Sequence, residues 1–285
     1  MQGDRHAGLD ELLIGTEGLA LLRNLYHGSD EEAARRLAEV RAILDADSNA
    51  ARDDVEPVVE ADPRAGYARW SASYDDPGNP IVALEQPAVW GLIEPLVPGR
   101  TLDAACGTGR HAARLAALGH EVAGIDLTPE MLALARVRVP SASFVEADLH
   151  SIPSGDGVYD LVVCGLALAH LRSLSAAIGE LSRVLAPGGR LIISVLHPFL
   201  AALGWQAPFT GADGRRGFVR EHPHAHADYL AALRGADLAL EELIEPQLTA
   251  AHTRAKRRAS RVIGEATVRA YAGLPGVLVL SAVKP

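Results

Sequence analysis

The sequence is short of several residue types, and each shortage excludes something. It has two cysteines in 285 residues, Cys106 and Cys164. A disulfide scaffold needs more, so a reducing compartment is expected. Both sit in apolar runs (LDAAC, DLVVC) and read as small buried hydrophobes. Only two residues are lysine, Lys256 and Lys284, and the net formal charge is −9. The surplus positive charge that neutralises phosphates is missing, so no nucleic-acid partner is expected. The longest apolar stretch, near 161–171, falls far short of the ~20 residues that cross a bilayer. The opening residues MQGDRHAGLDELL lack a basic region followed by an apolar one, so no secretion signal is read. A cytoplasmic protein without membrane attachment is the expectation. Aromatics make up only 5% of the chain, but hydrophobic residues reach 48% and charged ones 22%, which excludes a mainly disordered chain.

The acid is unevenly spread. Residues 1–66 hold 15 acids and 7 arginines, and the rest is nearly neutral. This N-terminal part is expected to form a helical cap and linker (1–66), separate from the remainder (67–285). Residues 9–26 and 29–45 read as helices, the second opened by a Ser29/Glu32 capping box. Residues 46–66 read as an acidic linker. The segment 67–74 reads as a helix with Tyr67, Trp70 and Tyr74 on one face. DDPGNP (75–80) must turn, and 81–96 is again helical.

From Thr101 the pattern becomes short apolar strands alternating with helices, which predicts an α/β fold with a mostly parallel sheet. TLDAAC, HEVAGID, SFVEAD, YDLVVCG and RLIISVL read as five strands, and Pro187-Gly188-Gly189 stops the helix before the fifth. Residues 197–224 read as irregular. Two last strands, 238–247 and 276–285, bracket a helix at 254–272.

The first strand runs through Asp103 into Gly107-Thr-Gly109 and straight into a helix. Glycines there admit a ligand to the backbone, and the helix start offers free N–H groups. Asp126 ends the second strand, where a carboxylate can take a ribose diol. Asp148 ends the third, beside the same crevice. Gly107-x-Gly109-x-x-Ala112 alone also fits a loose dinucleotide pattern.

Taken in order, LDAACGTGR, GIDLTPEML, VEADLHSIP, DLVVCGLALAHL and VLAPGGRLIIS resemble the successive motifs of class I S-adenosylmethionine-dependent methyltransferases. The resemblance covers roughly residues 100–195. It implies a Rossmann-like, seven-stranded sheet with helices on both faces, and S-adenosylmethionine as cofactor. It further implies that Asp103, Gly107 and Gly109 line the methionine moiety, with Ala105 also among the cofactor-binding residues. Asp126 would hold the ribose, with Leu127 and Met131 near the adenine. Asp148 and Leu149 would meet the adenine edge, and Cys164 would face the methionine side. Ala105 departs from the family, which often has glycine there; alanine is read as a mild change.

Methyl transfer from a sulfonium needs alignment and exclusion of water, plus a base where the nucleophile carries a proton. His170 and His197 follow strands at the carboxyl edge of the sheet, where ligands bind in such folds. His222, His224 and His226 cluster with Tyr229. His170, His226 and Tyr229 are the catalytic candidates. Tyr67, Trp70, Tyr74, Asn79, His197, His222 and His224 are candidate lid or substrate residues. Each has a plainer reading: loop histidines, a helix cap, or packing aromatics. The alternating histidines suggest a metal site, but no acid or cysteine completes the set, so no metal is expected. Arg254, Lys256, Arg257, Arg258 and Arg261 read as a solvated basic face, or as a partner for the acidic segment, within the chain or across a homodimer.

The leading expectation is methyl transfer to an oxygen, nitrogen or carbon nucleophile of a small metabolite. The alternative is a non-methylating enzyme of the same fold, either cyclising the cofactor with release of methylthioadenosine or catalysing a rearrangement. A cofactor-binding non-enzyme ranks third.

Overall fold

The computed structural model describes residues 9–47, 58–255 and 262–285. In chain order the elements are α1 (Leu9–Arg23), α2 (Asp30–Asp47), β1 (Val59–Ala61), α3 (Pro63–Trp70) and α4 (Pro80–Ile93). β2 (Arg100–Ala104), α5 (Arg110–Ala117), β3 (Glu121–Asp126), α6 (Pro129–Arg138), β4 (Ser143–Glu146) and β5 (Tyr159–Gly165) follow. Then come α7 (Ser175–Val184), β6 (Leu185–Leu196), α8 (Pro198–Ala202), β7 (Ala207–Thr210) and β8 (Arg216–Val219). The chain closes with α9 (His226–Gly235), β9 (Ala239–Ile244), α10 (Ala250–Arg254), α11 (Gly264–Tyr271) and β10 (Val277–Val283). No helix among the described residues is long and apolar enough to cross a membrane.

Contacts divide the chain into two units. One is drawn from Met1–Val59, Pro77–Leu84 and Gln247–Leu274; the other takes Glu60–Asp76, Glu85–Pro246 and Pro275–Pro285. The sequence division at residue 66 differs from this grouping, because α3 goes with the sheet and 247–274 goes with the N-terminal helices. In the helical unit, Leu13, Ile263 and Ala266 are buried together, with Leu9, Leu12 and Ile43 packed against them. Arg36 pairs with the fully buried Glu17 at 3.1 Å. Arg23 donates to the carbonyls of Arg269, Ala270 and Ala272, satisfying the open end of α11. Ser29 supplies its half of the expected box, its hydroxyl accepting the Glu32 amide at 3.2 Å, while the Glu32 carboxylate pairs with Arg269 at 3.1 Å. Of the basic stretch, Lys256, Arg257, Arg258 and Arg261 lie outside the described residues, as does the linker from 48 to 57.

In the other unit, seven strands form one sheet in the order β4-β3-β2-β5-β6-β10-β9. The first five are parallel neighbours, and β10 runs antiparallel to β6 and β9. This is the expected mostly parallel sheet. The central strands are buried along their length, as Leu102, Val162, Leu191 and Leu280 show, and they share a core with Ile178 and Leu181 of α7 and Leu233 of α9. Continuous apolar strands of this kind follow from cover on both faces.

Three local differences have physical causes. α3 begins at Pro63, earlier than expected, because Asp62 accepts the Ala65 amide at 3.0 Å and proline suits the first helical position. α7 ends at Val184 and β6 starts at once, since Ala186 precedes Pro187 and is steered away from helical backbone. The segment expected to be irregular contains a hairpin, β7 against β8. Its turn is Gly211-Ala-Asp-Gly214, where Gly214 has φ +78 and Asp213 accepts the Arg215 amide at 3.0 Å.

Candidate functional site

β2 delivers the chain to a sharp turn at the carboxyl edge of the sheet. Ala105 and Gly107 both adopt left-handed backbone, φ 58 and 52, and Gly109 does so at φ 79. A Cβ at Gly107 would meet nothing within 4 Å, so this glycine holds backbone open to a cavity. Gly109 serves packing, since a Cβ there would lie 3.1 Å from that of Ala135 on α6. Asp103 lies beneath the turn, buried, and its Oδ2 accepts the Ala112 amide in the first turn of α5 at 2.8 Å. Its Oδ1 has no partner among the described residues. Burial raises its pKa to about 6, against the pull of His111 and that amide.

Asp126, at the end of β3, ties the turn to the next helix. Its Oδ2 accepts the Gly107 amide and its Oδ1 the Thr128 amide, each at 2.8 Å. Burial raises its pKa and these amides oppose the rise. Asp148 is half exposed and accepts the amide of His150 at 2.8 Å, which draws its pKa down.

A cavity of about 760 Å³, including its open mouth, lies over these residues. One side is made by Ala105, Gly107, Asp126, Leu127, Thr128, Ala147, Asp148 and Leu149, and the floor by Gly165, Leu166 and Ala167. Leu166 is a second non-glycine residue in left-handed backbone, at φ 55. Such strain persists where surroundings impose it and gathers at functional sites. The opposite side is Pro63, Tyr67, Tyr74, His170 and Leu171. A lining of open backbone and apolar side chains with a few polar groups is that of a site for a small organic molecule.

The Tyr67–His170 contact defines the chemistry of that side. His170 Nδ1 lies 2.8 Å from the Arg220 carbonyl, which can only accept, so Nδ1 carries the proton. Nε2 is then a bare acceptor, and the Tyr67 hydroxyl, 2.8 Å away, donates to it. Burial lowers the His170 pKa and raises that of Tyr67 well above its usual value. Both are neutral near pH 7, and the pair can take up a proton through the tyrosine oxygen.

Residues 102–193 match the methyltransferase domain family. The chain is 42% identical over 107 residues to the demethylmenaquinone methyltransferase of Thermus thermophilus, covering 35% of this chain and 49% of that one. It spans about half the length of this and the next curated relative. It is also 31% identical over 188 residues to the ubiquinone biosynthesis O-methyltransferase of Xanthomonas oryzae, covering 61% of this chain and 77% of the relative. This chain belongs to the S-adenosylmethionine-dependent methyltransferases. A solved S-adenosylmethionine-dependent methyltransferase from Mesorhizobium loti shares the fold, with TM-score 0.54 at 24% identity over 71% of this chain and 99% of that one.

The methyltransferase's cavity suits that cofactor. Its backbone is open at Gly107, and two carboxylates flank it. Of the residues singled out by sequence, Ala105, Gly107, Asp126, Leu127, Asp148, Leu149, Tyr67, Tyr74 and His170 line the cavity. Asp103, Gly109, Met131 and Cys164 lie behind it as support; Met131 and Cys164 are buried, and burial pushes the Cys164 thiol up. Trp70 stacks on Tyr67 at 5.7 Å and on Phe209 at 6.3 Å, so it backs the aromatic face. Asn79 caps α4 through the Ile81 amide at 3.1 Å. The His222 amide bonds the Ala169 carbonyl and His224 Nε2 that of Leu171, each at 2.7 Å, latching the loop onto the turn that carries His170. Tyr229 is a fully buried core residue of α9. His197 and His226 meet each other elsewhere.

Sequence reasoning missed two carboxyls. Glu85 on α4 is fully buried and accepts from Arg110 (2.6 Å), His111 (2.9 Å) and Ser194 (2.7 Å). Ser194 Oγ in turn accepts the amide of the strained Leu166 at 3.2 Å. Burial pushes the Glu85 carboxyl up, but His111, Arg110 and Ser194 outweigh it and hold the pKa at about 2. Glu221 is buried with its Oε1 3.9 Å from His170 Nε2 and its Oε2 unpartnered among the described residues. Burial raises it to about 8. No periodicity marks either one.

Proposed function

We propose that this methyltransferase transfers a methyl group to a nucleophilic atom of a small metabolite seated between Tyr67, Tyr74, His170 and Leu171. The observation that carries the reading is that one cavity joins the glycine turn and Asp126 to the neutral His170–Tyr67 pair. S-adenosylmethionine, when bound, supplies an electrophilic methyl on sulfur. Gly107 and Ala105 would admit its amino-acid end, Asp126 would hold the ribose hydroxyls, and Asp148 and Leu149 would meet the adenine. Leu166, Leu171 and Tyr74 would exclude water from the reacting atoms. A protonated acceptor would lose its proton to the Tyr67 oxygen as Tyr67 passes its own to His170 Nε2. The relative named for O-methylation supports an oxygen nucleophile, for which such a pair is suited.

The test has two arms. By calorimetry, Asp126→Ala should abolish detectable S-adenosylmethionine binding; unchanged affinity would remove the cofactor assignment. His170→Ala should lower kcat by about 10²–10⁴, the range for a lost general base, with cofactor affinity retained. Release of methylthioadenosine from cofactor and enzyme alone would instead establish the cyclising alternative.

A further inference from the structure

Three side chains from distant parts of the sequence meet outside the cavity. β6 and β9 both run antiparallel to β10, so their carboxyl ends lie at the same edge. His197 immediately follows β6, Glu245 follows β9, and His226 opens α9. Glu245 Oε1 lies 2.9 Å from His197 Nε2 and 2.8 Å from His226 Nε2, and the three atoms are within 4.8 Å of one another. The imidazole rings are 5.1 Å apart. Among the described residues Glu245 pairs with no lysine or arginine. The His197 side chain is 5% exposed, whereas those of His226 and Glu245 are 38% and 41% exposed, so the cluster is walled on one side and open to water on the other.

We propose that His197, His226 and Glu245 form a binding site for a transition-metal dication of the zinc class, with water completing the coordination on the open side. Two imidazole nitrogens and one carboxylate oxygen suit zinc or cobalt; magnesium and calcium call for oxygen donors throughout. Tetrahedral bonds of 2.0–2.1 Å put ligand atoms about 3.3 Å apart. The observed contacts must therefore open by about half an ångström, which the two exposed side chains can supply. His197 Nδ1 accepts the Phe199 amide at 3.2 Å, so Nε2 carries its proton when no ion is bound. Binding moves that proton to Nδ1 and gives up this long contact. None of the three residues lines the cavity, so the ion acts as a clasp joining the ends of β6 and β9 to the start of α9. It does not act on the acceptor.

The test titrates untagged, chelator-treated full chain with Co²⁺ and then Zn²⁺, following heat and visible absorption, with Mg²⁺ as the control. No cofactor or acceptor is present, so the outcome is independent of the methyl-transfer reading. One equivalent of Co²⁺ should bind, with visible bands of low-coordinate cobalt, and Zn²⁺ should displace it. His226→Ala and Glu245→Ala, both at exposed positions, should each abolish that equivalent. The Phe199 amide should exchange faster with solvent once zinc is bound. Absence of stoichiometric binding, binding that survives Glu245→Ala, or an equal response to Mg²⁺ would overturn the proposal.

Discussion

Glu85→Gln keeps the side-chain shape and removes one charge from the interior. In the native protein a fully buried carboxylate accepts from a guanidinium, an imidazole and a hydroxyl at 2.6–2.9 Å. Glutamine offers a single acceptor oxygen and turns an NH₂ toward donors. Arg110 keeps its charge, with 15% of its side chain exposed, and loses its partner. Breaking a buried pair from one side costs about 3–5 kcal/mol. A second route gives a similar figure: a pKa held at about 2 against an ordinary 4.5 corresponds to roughly 3 kcal/mol favouring the charged form in the fold. Loss of about 3 kcal/mol at pH 7 is therefore expected in urea unfolding followed by tryptophan fluorescence. The pH dependence tests the cause. A depressed carboxylate contributes stability that is present above pH 4.5 and is lost as pH falls toward 2, so the gap between wild type and variant should narrow on acidification below 4.5. A gap under about 1 kcal/mol at pH 7, or one unchanged at pH 3, would refute the assignment of stability to this network. Because Ser194 links Glu85 to Leu166, cofactor affinity should fall with stability.

Glu221 works in the opposite direction: its folded pKa of about 8 lies above the ordinary 4.5, so wild-type stability should drop by about 1.4 kcal/mol per pH unit between them. Glu221→Gln should lack that slope in urea unfolding at pH 5 and pH 8, and an equal slope in the two proteins would contradict the raised carboxyl. Ala105→Gly should raise stability by about 0.5–1 kcal/mol, since relief of left-handed strain worth about 1–2 kcal/mol exceeds the added chain entropy of glycine. A lower Tm would show that the turn does not strain alanine.

What could be read from the sequence is what neighbours in the chain decide. The alternation from Thr101 gave the parallel sheet, and the glycine turn with an acid ending each of the next two strands gave one wall of the cavity. Those signals are local because a strand end, a turn and a helix start are consecutive. The other wall was only partly legible: Tyr67 and Tyr74 share a helical face by spacing, but the contact of Tyr67 with His170 spans 103 positions. Glu85 carried no signal at all, being one acid in a helix whose partners lie 25, 26 and 109 residues away. The histidine run shows how proximity in sequence misleads. His226 stands beside His222 and His224 in the sequence, whereas the acid it faces is Glu245, one helix and one strand later. Glu245 comes from 19 residues along the chain, so the run of histidines by itself gives no sign of it. Ala105 carries the same point to a single residue. By composition it is the mildest change from glycine, but its cost lies in a φ of 58 that composition does not show. Leu166 bears a similar φ across the cavity floor, so two strained residues face the same ligand space, held by the Asp126 and Ser194 hydrogen bonds beside them. Relieving either strain should therefore cost the cavity some of its fixed shape even where it stabilises the fold.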